Sequence, residues 1–212
     1  MVDESKMQYK PYRSGQLTNG IERSAHRALL YATGLDEEDF KKPMIAVVNS
    51  FTEMVPGHFH LKELADHVKL GIAEAGGIAR EFSTIAICQG HKGMSYPLPS
   101  RELICDSIEY MVEAHQFDGM VLMPGCDKIV PGMLMAAMRL NIPALVVSAG
   151  PMLPGKYKGK TLTLTDMREL IGKTQTGKMS VEELLEVEKC ALPGVGTCSM
   201  LGTANTMCCL AE

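Results

Sequence analysis

The sequence predicts an α/β fold: a doubly wound, mostly parallel sheet flanked by helices. Three observations carry this. Short, continuously apolar runs, the pattern of strands buried on both faces, recur at residues 44–51, 82–88, 119–124 and 144–148. Between them lie segments of helical spacing, long enough to cross over and make neighbouring strands parallel. The residues able to do chemistry collect just past the strand ends, where open α/β sheets bind their ligands.

Taken in order, residues 1–20 are polar, with Pro11, Gly15 and Gly20, and are expected to lie as an arm over the surface or a neighbouring subunit. Residues 24–33 have helical periodicity, and Gly34 suits the position that closes a helix. The first strand, 44–51, leads into the loop Thr52-Glu-Met-Val-Pro-Gly-His58. From 60 to 75 the apolar positions Leu61, Leu64, Val68 and Ile72 step by three or four, and Gly76-Gly77 ends the run. A second strand at 82–88 opens into a loop at 89–94. Ser100 then caps a helix whose Leu103, Ile104, Ile108, Met111 and Val112 share one face, leading to the third strand at Gly119. Pro131 fits the first turn of the next helix, where Met133, Leu134, Ala137, Met138 and Leu140 recur. The fourth strand, 144–148, is bounded by Pro143 and Gly150-Pro151. Residues 155–160 read as a basic, solvated turn. Two short helices follow, the second with a Ser180-x-x-Glu183 capping box. The last residues, up to Glu212, continue a helix.

Composition narrows the function classes. The 212 residues are 46% apolar and 22% charged, enough for one sizeable core. A net charge of −4 gives no reason to expect nucleic acid. Seven cysteines without regular spacing do not form a disulfide framework, which points to a reducing, cytoplasmic setting. The apolar runs fall far short of the ~20 residues that span a bilayer, and the polar N-terminus is unlike a signal peptide, so no membrane association is expected.

The chemistry centres on Met123-Pro-Gly-Cys-Asp-Lys128, which sets a thiol, a carboxylate and an amine side by side at a strand's carboxyl end. Alone, Cys126 reads as well as an inert packed cysteine beside a surface ion pair. A second loop, Leu192-Pro-Gly-Val-Gly-Thr-Cys198, uses glycines to deliver a cysteine towards the start of a helix. The two loops together are the signal. Thiolates suit a soft metal centre and carboxylates a hard one, so adjacent Cys126 and Asp127 can serve both.

Beyond this local reading, the chain resembles the iron–sulfur dehydratases that include dihydroxy-acid dehydratase, phosphogluconate dehydratase and the sugar-acid dehydratases. The resemblance is carried by Arg23-Ser-Ala-His-Arg27, Ile45-Ala-Val-Val-Asn-Ser-Phe51, Val55-Pro-Gly-His58, Leu98-Pro-Ser-Arg-Glu102, Cys126-Asp-Lys128 with Pro131-Gly132, Leu140-Asn-Ile-Pro143 and Thr203-Ala-Asn-Thr-Met207. The Val-Pro-Gly-His segment looks more like the dihydroxy-acid branch. The resemblance implies a hydro-lyase of branched-chain amino-acid biosynthesis that turns a small 2,3-dihydroxy-3-methyl acid into a 2-keto acid, acting as a homodimer with a two-iron or four-iron cluster and Mg2+. It implies Cys126 and Cys198 as cluster ligands, and Asp127 and a carbamylated Lys128 as magnesium ligands. A sugar-acid dehydratase or a non-catalytic cluster-binding module remain alternatives. Lys92 and Arg101 are the cations expected near a phosphate, should the substrate carry one.

Three departures from the family pattern stand out. Many relatives have a cysteine where this chain has Gly57, which leaves Cys88 or Cys190 as a third cluster ligand. The Asp-Gly-Ile-x-Met-Gly segment that follows the second strand in relatives is shortened to Cys88-Gln-Gly-His91, without its aspartate, which puts magnesium binding in doubt; neither Glu53 nor Asp106 is a convincing replacement. Finally, residues 1–212 correspond to the family's N-terminal iron–sulfur and magnesium-binding domain. The C-terminal domain, with a further glutamate ligand and the serine base, is absent, so no catalytic base is expected here.

Overall fold

The computed structural model describes residues 7–92 and 95–212. Four parallel strands, β1 (Met44–Asn49), β2 (Ile78–Ser83), β3 (Gly119–Met123) and β4 (Ala144–Val146), lie in the order β2-β1-β3-β4. The chain leaves β1 for β2 on one side and returns to place β3 on the other. This makes the β1/β3 boundary the switch point of the sheet, the place where a crevice opens at the carboxyl ends. In register, Asn49 at the end of β1 pairs with both Ser83 and Met123, so the three longest strands finish level.

Helices cover both faces, which is why the central strands read as unbroken apolar runs. Alternate residues divide between two cores. Ala46, Val48, Met120 and Leu122 pack with Ile104, Ile108, Ile129 and Met133 of α4 (Pro97–Ala114) and α5 (Ile129–Leu140). Val47, Val121 and Met123 pack with Leu61 and Ala65 of α3 (Leu61–Glu74). Asp118 ties the opposite, amino-terminal edge together by accepting from Met44 N–H at 2.7 Å and Ser14 N–H at 2.8 Å. Residues 7–20, including α1 (Gly15–Thr18), therefore lie against the chain's own sheet edge. Arg27 of α2 (Ser24–Ala32) holds them by donating to the carbonyls of Thr18 and Gly20. The rest of the expected arm, residues 1–6, lies outside the described residues.

The structure corrects four local expectations, the first being Ser100, which lies inside α4 rather than capping it because the helix begins at Pro97. The second strand is Ile78–Ser83 rather than 82–88, because the register with β1 begins at Met44–Ile78. As an edge strand it carries Arg80 and Glu81, and this hid its strand pattern, while the apolar residues 85–88 belong to the loop beyond it. Part of the following loop, Gly93 and Met94, is outside the described residues. The fourth strand ends at Val146, although Val147 and Ala149 still donate to Leu122 and Pro124 carbonyls at 2.8 and 3.0 Å. Residues 155–160 form a hairpin of β5 (Gly155–Tyr157) and β6 (Lys160–Leu162), and the positive φ of Lys158 (46°) and Gly159 (77°) matches its two-residue turn.

The hairpin packs against α7 (Val181–Ala191) through Leu162, Val187 and Ala191. Ser180 caps that helix as expected, accepting from Glu183 N–H at 3.1 Å. The preceding α6 (Leu164–Gln175) is capped by Thr163 and Asp166, and α8 (Thr203–Ala211) closes the described chain. Among the described residues no helix is long and apolar enough to cross a membrane.

Candidate functional site

Two adjoining cavities of about 260 and 220 Å³ open at the switch point and share Cys88, Gly90, Cys126, Leu164 and Cys198. Three loops far apart in sequence bring the three cysteines there. Backbone hydrogen bonds pin the Cys126 and Cys198 loops.

The Cys126 loop is set by two residues whose roles the sequence reading did not assign. His58 is fully buried, and its Nε2 accepts the Cys126 backbone N–H at 2.9 Å. Because that nitrogen accepts, the proton sits on Nδ1 and is donated to Ser50 Oγ at 2.9 Å, and Ser50 in turn donates to Met123 O at 2.7 Å. The chain Cys126–His58–Ser50–Met123 thus locks the turn to the end of β3. It needs a neutral imidazole, and burial, with a smaller contribution from His60, pushes the His58 pKa down to about 4. Both residues lay within quoted motifs, but a polar residue following Val55-Pro-Gly carries no visible sign that it will be buried.

The Cys198 loop is sewn alongside residues 150–152. Thr197 N–H donates to Gly150 O at 2.9 Å, Met152 N–H donates to Thr197 O at 2.8 Å, and Gly196 N–H reaches Pro56 O at 2.9 Å. Gly196 has φ 122°, and a Cβ there would stand 2.4 Å from Met152 N, so only glycine fits. Asn205 of α8 finishes the turn, donating to the carbonyls of Cys198 (2.8 Å) and Met200 (2.7 Å) and accepting from Thr197 Oγ1. Cys198 therefore precedes α8 by five residues, which corrects the expectation that its loop delivers it to the start of a helix.

Of the two candidates for a third thiol, Cys88 lines both cavities and Cys190 lines neither. Cys190 points along α7 towards the carbonyls of Glu186 and Val187. Cys88 and Cys126 form a hydrogen-bonded thiol pair, in which the contact favours ionisation of Cys88 and, together with burial, holds the proton on Cys126. Burial also raises the Cys198 pKa, partly offset by Arg168. Gly57 faces this group, since a Cβ on it would lie 3.2 Å from Cys126 Sγ.

Asp127 lines the second cavity and pairs with Lys128 at 3.3 Å, both side chains largely buried. Gln89, the residue at the shortened segment, also lines it. Neither Lys92 nor Arg101 lines either cavity, but Arg168 of α6 lines the second. Asp106 sits outside the cleft. It belongs with Cys105 and Glu109 to a group whose donor atoms lie within 4.8 Å, and Arg139 fills that group by binding Asp106 at 2.8 Å and Glu109 at 3.3 Å. This is an ion-pair network between α4 and α5. The three cavity thiols do not crowd within 4.8 Å, whereas one tetrahedral zinc with bonds of about 2.3 Å would draw its sulfurs closer than that.

The comparisons with known proteins identify the family. Residues 42–212 match the family model described as dihydroxy-acid/6-phosphogluconate dehydratase N-terminal. The chain is 55% identical over 204 residues to a dihydroxy-acid dehydratase of Methanosphaera stadtmanae and equally to one of Methanobrevibacter smithii, and 56% identical over 203 residues to one of Methanococcus maripaludis. Each match covers 94% of this chain and 37% of the relative, whose N-terminal part it is. With a family model matching 171 residues from 42 to 212 and relatives above half identity, the chain belongs to the dihydroxy-acid/6-phosphogluconate dehydratase family.

Proposed function

We propose that this chain is the cofactor-binding portion of a dihydroxy-acid dehydratase, a hydro-lyase that converts 2,3-dihydroxy-3-methyl acids into 2-keto acids in branched-chain amino-acid biosynthesis. The observation that carries the reading is the convergence of Cys88, Cys126 and Cys198 on one cavity at the sheet's switch point. Their shared cavity and thiol donor set suit an iron–sulfur cluster, with Cys88 as third ligand in place of a cysteine at Gly57. Cys88, Cys126 and Cys198 would hold a two-iron or four-iron cluster. When bound, such a cluster supplies a Lewis acid for the departing C3 hydroxyl.

The chain's own residues hold and shield that cavity. His58 and Asn205 fix the two cysteine loops, and Val55, Pro56, Met152 and Leu192 give the first cavity an apolar wall that excludes water. That wall suits a branched alkyl group and offers little to the hydroxyls of a sugar acid, which favours the dihydroxy-acid branch. The residues present do not complete a magnesium site. Asp127 is the single carboxylate lining the second cavity, Lys128 already neutralises it, and Gln89 stands where relatives carry aspartate. The proton-abstracting base belongs to the C-terminal portion that the relatives possess. Seven free thiols suit a cytoplasmic setting, and a homodimer is the assembly the family resemblance implies.

The test is turnover of 2,3-dihydroxy-3-methylbutanoate by the reconstituted chain mixed with the C-terminal portion of the Methanosphaera stadtmanae relative. The mixture is expected to form the 2-keto acid, with neither part active alone. Preferential dehydration of 6-phosphogluconate would overturn the assignment to the dihydroxy-acid branch.

A further inference from the structure

The second cavity holds two groups that the reading above leaves unused. Arg168, on the first turns of α6, makes no ion pair or hydrogen bond among the described residues, yet it lines the cavity beside Asp127 and Cys198. Gln89, on the shortened loop opposite, has both amide atoms, Nε2 and Oε1, shut away from solvent and without a hydrogen-bond partner. Native structures rarely leave such a group unsatisfied unless a ligand or water completes it. Asp127, the carboxylate lining this cavity, is paired with Lys128. An unpaired, solvent-exposed guanidinium and a buried amide donor lining the same cavity suit a small anion, and a carboxylate matches the guanidinium's forked donors best.

We propose that Arg168 and Gln89 form the carboxylate-binding subsite for the dihydroxy acid, taking over in this chain the anchoring that a fully ligated divalent cation would otherwise provide. Arg168 Nη atoms donate to the carboxylate, and Gln89 Nε2 donates to the same group from the loop side. The branched end of the acid then turns to the apolar wall of Val55, Pro56 and Met152, across the shared thiols. The subsite fixes specificity: it selects an ionised acid and holds its C2–C3 bond against the thiol cluster. The shortening of the loop after Cys88 thereby becomes a change of anchoring chemistry, from metal to guanidinium. This inference rests on the dehydratase reading for the identity of its ligand.

The experiment is calorimetric binding to the 212-residue chain, without magnesium, before and after iron–sulfur reconstitution. The probes are 2,3-dihydroxy-3-methylbutanoate and its uncharged methyl ester. The acid is expected to bind at least about tenfold more tightly than the ester, the difference a charge-assisted hydrogen bond supplies. That preference should vanish in Arg168→Met, survive in part in Arg168→Lys, and fall further in Gln89→Glu, where a second carboxylate repels the ligand. Uptake of the cluster chromophore checks that each variant is folded. Equal binding of acid and ester, a preference that survives Arg168→Met, or no binding of the acid to the cluster-loaded chain would each overturn the subsite. Failure to take up a cluster would instead overturn the functional reading, while the acid-to-ester comparison on the cluster-free chain still decides the role of Arg168.

Discussion

Replacing His58 by glutamine should flatten part of the pH dependence of this protein's stability. The imidazole is fully buried, accepts the Cys126 N–H through Nε2 and donates from Nδ1 to Ser50, so it has no place for a second proton. Its pKa falls from 6.5 in the unfolded chain to about 4 in the folded one, with burial the main cause. Between these values the unfolded state binds more protons, so stability is complete above pH 6.5 and falls as the pH drops through the window. At about 1.36 kcal/mol per pKa unit, the loss reaches about 3 kcal/mol at pH 4. Glutamine can still accept the Cys126 N–H but does not titrate. Urea denaturation of the metal-free wild type and His58→Gln, from pH 4 to 7.5, isolates the effect, because the carboxylates titrate in both. The wild type should lose about 3 kcal/mol more than the variant across the window. A difference that stays flat with pH would refute the neutral, doubly bonded imidazole.

Other outcomes follow from the packing and the loops. Leu122→Ala empties a fully buried position in the larger core and should cost about 2–5 kcal/mol in denaturant midpoint analysis. Gly196→Ala places a Cβ against Met152 N at positive φ; it should destabilise by about 1–3 kcal/mol and lower cluster retention, while Gly194→Ala, with open space around it, should do much less. Replacing Gln89 by Asp-Gly-Ile-Ala-Met, the segment length of relatives, should raise magnesium affinity in calorimetry, since it adds a charged oxygen ligand beside Asp127. Equal magnesium binding before and after that insertion would show that another residue already fills the position.

Much of the fold was legible because the central strands are covered on both faces and their apolar runs interrupt helical periodicities. The β2 edge was misplaced for the complementary reason: the charged pair Arg80 and Glu81 interrupts its apolar run, and the apolar residues 85–88 of the loop imitated a strand. Cys126 and Asp127, past a strand end, and Cys198, on a glycine-rich turn, could be paired as one site from their loops alone. The choice between Cys88 and Cys190 could not be made from sequence, since both adjoin site loops in the chain and only tertiary structure turns one inward and the other along α7. Arg168 was invisible for the same reason. It lies 40 residues beyond Lys128 in an ordinary amphipathic helix, and reaches the cavity through the way α6 returns across the sheet's carboxyl edge.

The central claim is that three loops present Cys88, Cys126 and Cys198 to a single iron–sulfur cluster. Anaerobic reconstitution with iron and sulfide, followed by visible absorption and iron quantification, tests it across single cysteine-to-serine variants. The wild type and Cys190→Ser should develop the same chromophore and bind the same iron, while Cys88→Ser, Cys126→Ser and Cys198→Ser each lose most of it. Full iron and chromophore in Cys88→Ser, or a loss in Cys190→Ser equal to that in Cys126→Ser, would contradict the account.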